Sequence, residues 1–132
     1  MPCKTDEGHI LKALRHYRDF LTSAPSVIAG DFNNHPLWDK PGKVNNHANI
    51  VNAMTELGLV SAYHAFHKIE SGKEAEATLY WRDRKKDGPK YHIDYCFIPE
   101  SWIGRLRQAS IGSFDQWIKL SDHMPLIVDL EF

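Results

Sequence analysis

The amino-acid sequence predicts an α/β (α+β) fold in which one mixed sheet carries helices on one face. Two features lead to this prediction: a helix–strand–helix pattern at the start, and several short apolar runs bounded by turn residues in the remainder. The chain has 132 residues, of which 42% are hydrophobic. This length and composition predict a single domain over residues 1–132 with its own core.

Two segments have the apolar spacing of amphipathic helices. The first covers residues 9–22, and its apolar positions are Ile10, Ala13, Leu14, Tyr17, Phe20 and Leu21. The second covers about residues 47–57, and Gly58 directly after it is typical of a helix end. Both helices are expected on the same face of the sheet.

The strands are predicted from apolar runs of four to eight residues. The first precedes the polar loop that leads to the second helix, and the others follow that helix. Their ranges are 26–30, 59–64, 77–82, 91–98, 109–114 and 124–130. Asp87-Gly88 is a turn signal between two of them, and Pro125 restricts the last strand to a start near that residue.

Charge and cysteine content exclude several classes of protein. Lys and Arg number 16 and Asp and Glu number 17, so no global basic field indicates nucleic-acid binding. Cys3 and Cys96 have neither zinc-finger spacing nor the spacing of a disulfide framework. The chain has no apolar stretch typical of a signal peptide or a membrane span, so we predict a cytoplasmic protein.

Three stretches place polar side chains at strand ends or on one strand face. They are GDFN at residues 30–33, YHIDYCFIP at residues 91–99 and SDHMPL at residues 121–126. Because side chains alternate along a strand, His92, Asp94 and Cys96 are predicted to share one face. We expect these polar groups to meet at one edge of the sheet.

The three stretches combine carboxylates, imidazoles and an amide. The residues are Asp31, Asn33, His92, Asp94, Asp122 and His123. Carboxylate oxygens suit Mg²⁺ or Mn²⁺, and an Asp–His pair orients an imidazole and favours its charged form. We expect His123 within about 2.6–3.2 Å of Asp94. This inventory is typical of metal-assisted hydrolysis of a phosphate ester.

The motifs GDFN, HIDY and SDHMPL, in this order, resemble the endonuclease/exonuclease/phosphatase superfamily, which includes DNase I and exonuclease III-type enzymes. The resemblance covers about residues 25–132. It implies the DNase I-like four-layer α/β/β/α sandwich. That sandwich is about twice this length, so the chain is expected to correspond to its C-terminal half.

The resemblance also implies roles for individual residues. Asp31 would position or deprotonate the attacking water, and Asn33 would orient that water or the phosphate. His123 would stabilise the pentacoordinate phosphate, and Asp94 would orient His123. Asp122 would be a carboxylate close to the metal. Asp31, Asn33, Asp94 and His123 are therefore the candidate catalytic residues, and Asp122 is the candidate metal ligand.

Three further residues are candidate substrate-binding residues. His35 lies in the loop after the first polar stretch, and Ser121 opens the third. The sequence leaves two roles open for His92: a role beside the site, or a structural role in its strand. For Asp31 and Asn33, the alternative is simple turn formation, since both residue types favour strand exits.

The chain departs from the family pattern because the half that supplies a metal-ligand Glu is not represented. Glu7 precedes a helix rather than ending a strand, so it is not taken as that ligand. We expect a divalent-metal-dependent phosphoesterase, acting on nucleic acid or a small phosphate ester, with weak Mg²⁺ or Mn²⁺ binding. The alternatives are a non-catalytic half-domain that folds or binds but needs the missing half, and a generic α/β binding domain.

The second face of the sheet leads to a prediction about partners. Two helices cover one face, and nothing else in the sequence is predicted to cover the other. The area of such an exposed apolar face is larger than the apolar patches that soluble monomers usually expose. We therefore predict a homodimer with sheet packed on sheet, or a complex with a separate N-terminal half.

Overall fold

The computed structural model describes residues 6–132. Its helices are α1 (Gly8–His16), α2 (Arg18–Ser23), α3 (His47–Glu56), α4 (Ala62–His67) and α5 (Phe114–Trp117). Its strands are β1 (Ile28–Asp31), β2 (Leu59–Ser61), β3 (Leu79–Tyr80), β4 (Lys90–Tyr91), β5 (Asp94–Pro99), β6 (Leu106–Ile111) and β7 (Leu126–Leu130). Cys3 lies outside the described residues. Within residues 6–132, no helix has the length and apolar character that crossing a membrane requires.

The strands form three small antiparallel sheets, where the sequence predicted one mixed sheet. The largest sheet has the order β1-β5-β2, β3 pairs with β4, and β6 pairs with β7. An antiparallel bridge between Leu79 and His123 joins β3 to the segment that precedes β7. The α+β class is as predicted. β3 and β4 are each only two residues long.

Helices α1 and α3 cover one face of the β1-β5-β2 sheet, as predicted. Leu14 of α1 and Ile50 and Met54 of α3 pack against Tyr95 and Phe97 of β5 in one core cluster. Strand alternation places both aromatic side chains on this face. Each apolar side chain of this size contributes about 1.5–3 kcal/mol when it is fully buried.

Helix α4 and the β6–β7 pair cover part of the opposite face. Ala62, Ile98 and Leu106 form a second buried cluster, against which Val128 of β7 packs. The prediction that no other element of the chain covers this face is therefore wrong for the part of the face beneath α4 and the β6–β7 pair. Part of this cover comes from residues 62–64, for which the sequence predicts a strand and the structure has the start of α4.

The predicted strand over residues 59–64 ends at Ser61, and α4 follows it directly. Ala62 is fully buried and Tyr63 is 2% exposed, so tertiary packing outweighs the strand propensity of this segment. The helix ends where Lys68 adopts a left-handed φ of 54°. The predicted helix over residues 9–22 is also divided, because Tyr17 leaves helical geometry between α1 and α2.

Candidate active site

Asp31 and Asp94 lie directly opposite each other across β1 and β5. Residues paired in this way project from the same face of an antiparallel sheet, with Cβ atoms about 5 Å apart. Asp31 is the last residue of β1 and Asp94 is the first residue of β5. Strand register therefore brings two carboxylates together at one edge of the sheet.

His123 completes this cluster from the segment that precedes β7. Its Nδ1 lies 2.9 Å from Asp94 Oδ2, and its Nε2 lies 3.9 Å from Asp31 Oδ2. Since an ionised carboxylate only accepts hydrogen bonds, Nδ1–H donates to Asp94 and Nε2 faces Asp31. The distance to Asp94 falls within the range expected from the sequence.

Backbone hydrogen bonds to β3 fix the position of His123. The Tyr80 N–H donates to the Asp122 carbonyl at 2.9 Å, and the Met124 N–H donates to the Thr78 carbonyl at 2.8 Å. These bonds flank the bridge between Leu79 and His123. The short strand β3 thus holds the third polar stretch beside the first two.

Thr78 was not predicted from the sequence, although it supports the cluster directly. Its side chain is fully buried, and its Oγ accepts hydrogen bonds from the backbone N–H groups of Ile93 at 2.9 Å and Asp94 at 3.1 Å. These bonds set the backbone at the start of β5 and therefore the direction of the Asp94 carboxylate. A threonine within the apolar run ATLYW was the available signal.

The charges around His123 favour its protonated form. Burial by itself would lower the pKa of His123, but the hydrogen bond to Asp94 and the nearby charges of Asp31 and Asp122 raise that pKa above 6.5. These charges therefore shift His123, which faces two carboxylates, toward its imidazolium form.

A pH titration tests this arrangement. In the chelator-treated protein, the NMR titration midpoint of His123 should lie above 6.5, and Asp94→Asn should lower it. A histidine whose pKa is raised by folding stabilises the folded state. This contribution is fully present below the pKa of the unfolded state and is lost as pH rises through the pKa of the folded state. The stability difference between the two proteins should therefore shrink at alkaline pH. An unchanged midpoint in Asp94→Asn, with Asp129→Asn as the control, would contradict the assignment.

Three other candidate residues lie beside the cluster. Asn33 has a left-handed φ of 46°, and its N–H donates to Asp31 Oδ1 at 2.8 Å, which orients the Asp31 side chain. Ser121 Oγ accepts from the His123 N–H at 3.0 Å. Asp122 is half-buried next to His123. The functional roles of these residues stay predictions.

His35 and His92 are not part of this cluster. His92 is 2% exposed and its ring packs against Tyr95. The prediction that it shares a face with Asp94 was wrong, because β5 begins at Asp94 and strand alternation does not extend back to residue 92. His35 and His92 instead line a separate pocket that also contains Glu74. Their contact with a substrate stays a prediction.

The cluster opens onto a cleft of about 470 Å³. One side of the cleft is formed by β1 and β5, including Gly30 and Cys96, and the other by the segment around Leu126 and Val128. The cleft gives the polar groups access to solvent on the sheet face that the helices α1 and α3 leave free.

The cluster fits a hydrated divalent cation. Potential ligand atoms of Asp31, Asp94 and His123 lie within 4.8 Å of one another, and the two carboxylates are the ligands that remain when His123 is protonated. Mg²⁺ is usually held by one or two carboxylates and keeps several waters, and the Asp31 side chain is 48% exposed. Asp122 belongs to neither group of possible metal ligands found among residues 6–132.

No protein-family model matches the chain, and no curated protein matches it. Among solved structures, the 3′ phosphatase NExo from Neisseria, bound to a product DNA hairpin, is similar with a TM-score of 0.69 and 17% identity. The endonuclease domain of TRAS1, a telomere-specific non-LTR retrotransposon, is similar with a TM-score of 0.61 and 16% identity. This chain has the DNase I-like fold.

The likeness covers most of this chain and half of each DNase I-like neighbour. It covers 93% of this chain and 52% of the phosphatase, and 100% of this chain and 54% of the endonuclease domain. The chain thus spans about half the length of either neighbour. The resemblance to the endonuclease/exonuclease/phosphatase superfamily is confirmed at the level of the DNase I-like fold. Its correspondence to the C-terminal half stays a prediction.

Proposed function

We propose that the protein is a divalent-metal-dependent phosphoester hydrolase. The observation that carries this proposal is the array of Asp31, His123 and Asp94 at the solvent-accessible edge of a DNase I-like fold. A carboxylate that can accept a proton and an oriented, charged imidazole face the same space. A base that positions the water and a donor that stabilises the phosphoryl oxygen both assist in-line attack on phosphorus.

Asp31 is the proposed base that orients and deprotonates the attacking water. Its Oδ1 accepts the Asn33 N–H, so Oδ2, on the side of His123, remains for the water. The Asn33 side chain is exposed at the same edge and is the proposed donor that aligns the water or a phosphoryl oxygen. Asp31 is the last residue of β1, and Asn33 lies in the loop that directly follows it.

His123 is the proposed donor to the phosphoryl oxygen on which negative charge builds up. Asp94 fixes the imidazole through Nδ1–H and leaves Nε2–H free to donate. A bound Mg²⁺ or Mn²⁺ would neutralise charge on the phosphate, and Asp31 and Asp94 are the carboxylates that would hold it. Asp122 is a further ligand predicted from the sequence alone. Ser121 supports the His123 backbone in this scheme.

The proposed substrate class is nucleic acid rather than a small phosphate ester. The two structural neighbours are a 3′ phosphatase bound to DNA and a retrotransposon endonuclease domain. The β3–β4 connection, close to the bridge between Leu79 and His123, carries four exposed basic residues against the two acidic residues Asp83 and Asp87. Its exposed basic residues are Arg82, Arg84, Lys85 and Lys86. Such residues bind a phosphate backbone in a salt-sensitive way.

A labelled DNA hairpin with a 3′-phosphate tests the activity. We expect release of phosphate or internal cleavage with Mg²⁺ or Mn²⁺, loss of this activity with EDTA, and recovery when the metal is returned. A small aryl phosphate serves as the comparison substrate. Hydrolysis that EDTA leaves unchanged would contradict the metal-dependent mechanism, and faster hydrolysis of the aryl phosphate would contradict the nucleic-acid assignment.

The alternative is a half-domain that binds DNA but requires a further polypeptide for turnover. This alternative is favoured because the chain matches only about half of the length of each structural neighbour. Binding of the hairpin without product formation under any metal condition would support this alternative.

We further propose that a second copy, or a separate N-terminal half, packs on the apolar part of the sheet face beside the cleft and leaves the end at Asp94 and His123 open to substrate. Cys96, Leu126 and Val128 line this cleft and are half-buried in the single chain. Sheet-on-sheet packing would remove this apolar surface from water. Sedimentation at low micromolar concentration is expected to detect a dimer, and a stable monomer would contradict the homodimer.

A further inference from the structure

A second cluster of possible metal ligands lies away from the candidate active site. His64, Glu74 and His92 each offer one ligand atom, and these atoms lie within 4.8 Å of one another. The side chains of His64 and Glu74 are only 11% and 4% exposed, and His92 is 2% exposed. This His–Glu–His cluster shares no residue with the Asp31–Asp94–His123 cluster.

His92 has a buried nitrogen that the rest of the fold leaves unused. Its Nδ1 lies 3.2 Å from the Glu76 carbonyl, which can only accept, so Nδ1 carries the proton in the neutral ring. Nε2 then presents a lone pair, and it has no hydrogen-bond partner among residues 6–132. Leaving a buried polar atom unpaired costs about 1–3 kcal/mol. A ligand that accepts this lone pair would remove that cost.

The other two members of the cluster are already oriented. His64 Nε2 lies 2.6 Å from Glu74 Oε1, and His64 Nδ1 lies 2.6 Å from Ser61 Oγ. Glu74 also accepts the Gly72 N–H, at 2.9 Å for Oε2. Burial by itself would raise the pKa of Glu74, but the hydrogen bonds from His64 and Gly72 lower it overall to about 2. Glu74 is therefore a fixed carboxylate anion.

We propose that His64, Glu74 and His92 form a Zn²⁺ site. Two imidazole nitrogens and one carboxylate oxygen are a donor set that Zn²⁺ prefers, whereas Mg²⁺ prefers oxygen ligands alone. In the bound form Nε2 of His64 would face the ion, Nδ1 would carry the ring proton and donate it to Ser61 Oγ, and the proton displaced from between His64 and Glu74 would leave to solvent. Zn–N and Zn–O distances of about 2.0–2.2 Å correspond to about 3.5 Å between neighbouring ligand atoms, so His64 Nε2 and Glu74 Oε1 must move apart from 2.6 Å to admit the ion.

The surroundings supply the outer contacts that such sites need. The second ring nitrogen of each histidine already contacts a fixed oxygen, Ser61 Oγ for His64 and the Glu76 carbonyl for His92. Contacts of this kind orient metal-binding histidines and increase their basicity. An adjoining pocket of about 200 Å³, lined by Glu74 and His92 among others, provides an entry path and room for a water as fourth ligand.

The test uses a chain in which Asp31→Asn and His123→Ala disable the first cluster. This background is expected to retain one equivalent of Zn²⁺ after gel filtration. Adding His92→Ala should weaken Zn²⁺ binding at least tenfold, measured by competition with a chromophoric chelator, whereas adding His16→Ala on the exposed face of α1 should leave it unchanged. Undiminished Zn²⁺ binding in the His92→Ala chain would overturn the proposal.

A measurement on the unmodified protein covers the case in which the His92→Ala chain does not fold. Anomalous diffraction at the zinc edge should place an ion between His64, Glu74 and His92. An ion found only between Asp31, Asp94 and His123, or none at either cluster, would overturn the proposal. Since the readout is metal position, the result does not depend on whether the protein hydrolyses DNA.

Discussion

Replacing His123 with alanine is expected to lower metal-dependent hydrolysis of the DNA hairpin by about 10²–10⁴-fold, the range typical of a positioned proton donor or base. The variant removes the only side chain that faces both Asp31 and Asp94 in the described cluster. Asp31→Asn should cause a loss in the same range, because the amide cannot take a proton from water. Initial rates at saturating Mg²⁺ measure both effects.

The two variants should not be additive, because His123 and Asp31 act on the same transition state. Asp129→Asn is the matched control, since Asp129 is an exposed carboxylate of β7. It should keep the full rate. Loss of less than about tenfold in both variants would contradict the roles proposed for these residues.

Replacing Thr78 with valine is expected to lower the free energy of unfolding by about 2–4 kcal/mol. Valine has nearly the same shape but leaves the N–H groups of Ile93 and Asp94 without their acceptor in a buried environment. Each unsatisfied buried group costs about 1–3 kcal/mol. Urea unfolding of the wild type and the variant measures the difference.

Thr78→Ser is the control, because serine keeps the hydroxyl acceptor and loses one methyl group. It should cost about 1 kcal/mol, close to the value of one buried methylene. Thr78→Val should also lower the pKa of His123, since Asp94 is no longer held in place. Equal stability of the valine and serine variants would show that the hydroxyl does not support the start of β5.

The amino-acid sequence by itself determined the composition of the candidate active site. The motifs around Asp31, Asp94 and His123 predicted their convergence, and the structure brings their ligand atoms within 4.8 Å of one another. Local signals also sufficed for α3, predicted over about residues 47–57 and observed over His47–Glu56. Gly58 follows with φ of 75°, the left-handed conformation that glycine adopts at low cost after a helix.

Only the tertiary structure decided the features that depend on contacts distant in sequence. Residues 62–67 are helical because Ala62 and Tyr63 are buried beneath the β6–β7 pair, which their own propensities do not reveal. The Thr78 hydroxyl receives bonds from β5, a pairing that no local pattern encodes. His92 points into the His–Glu–His cluster because strand alternation, on which its predicted face depended, begins two residues later. Alternation and helix periodicity are local, whereas burial and hydrogen-bond partners are set by the packed fold.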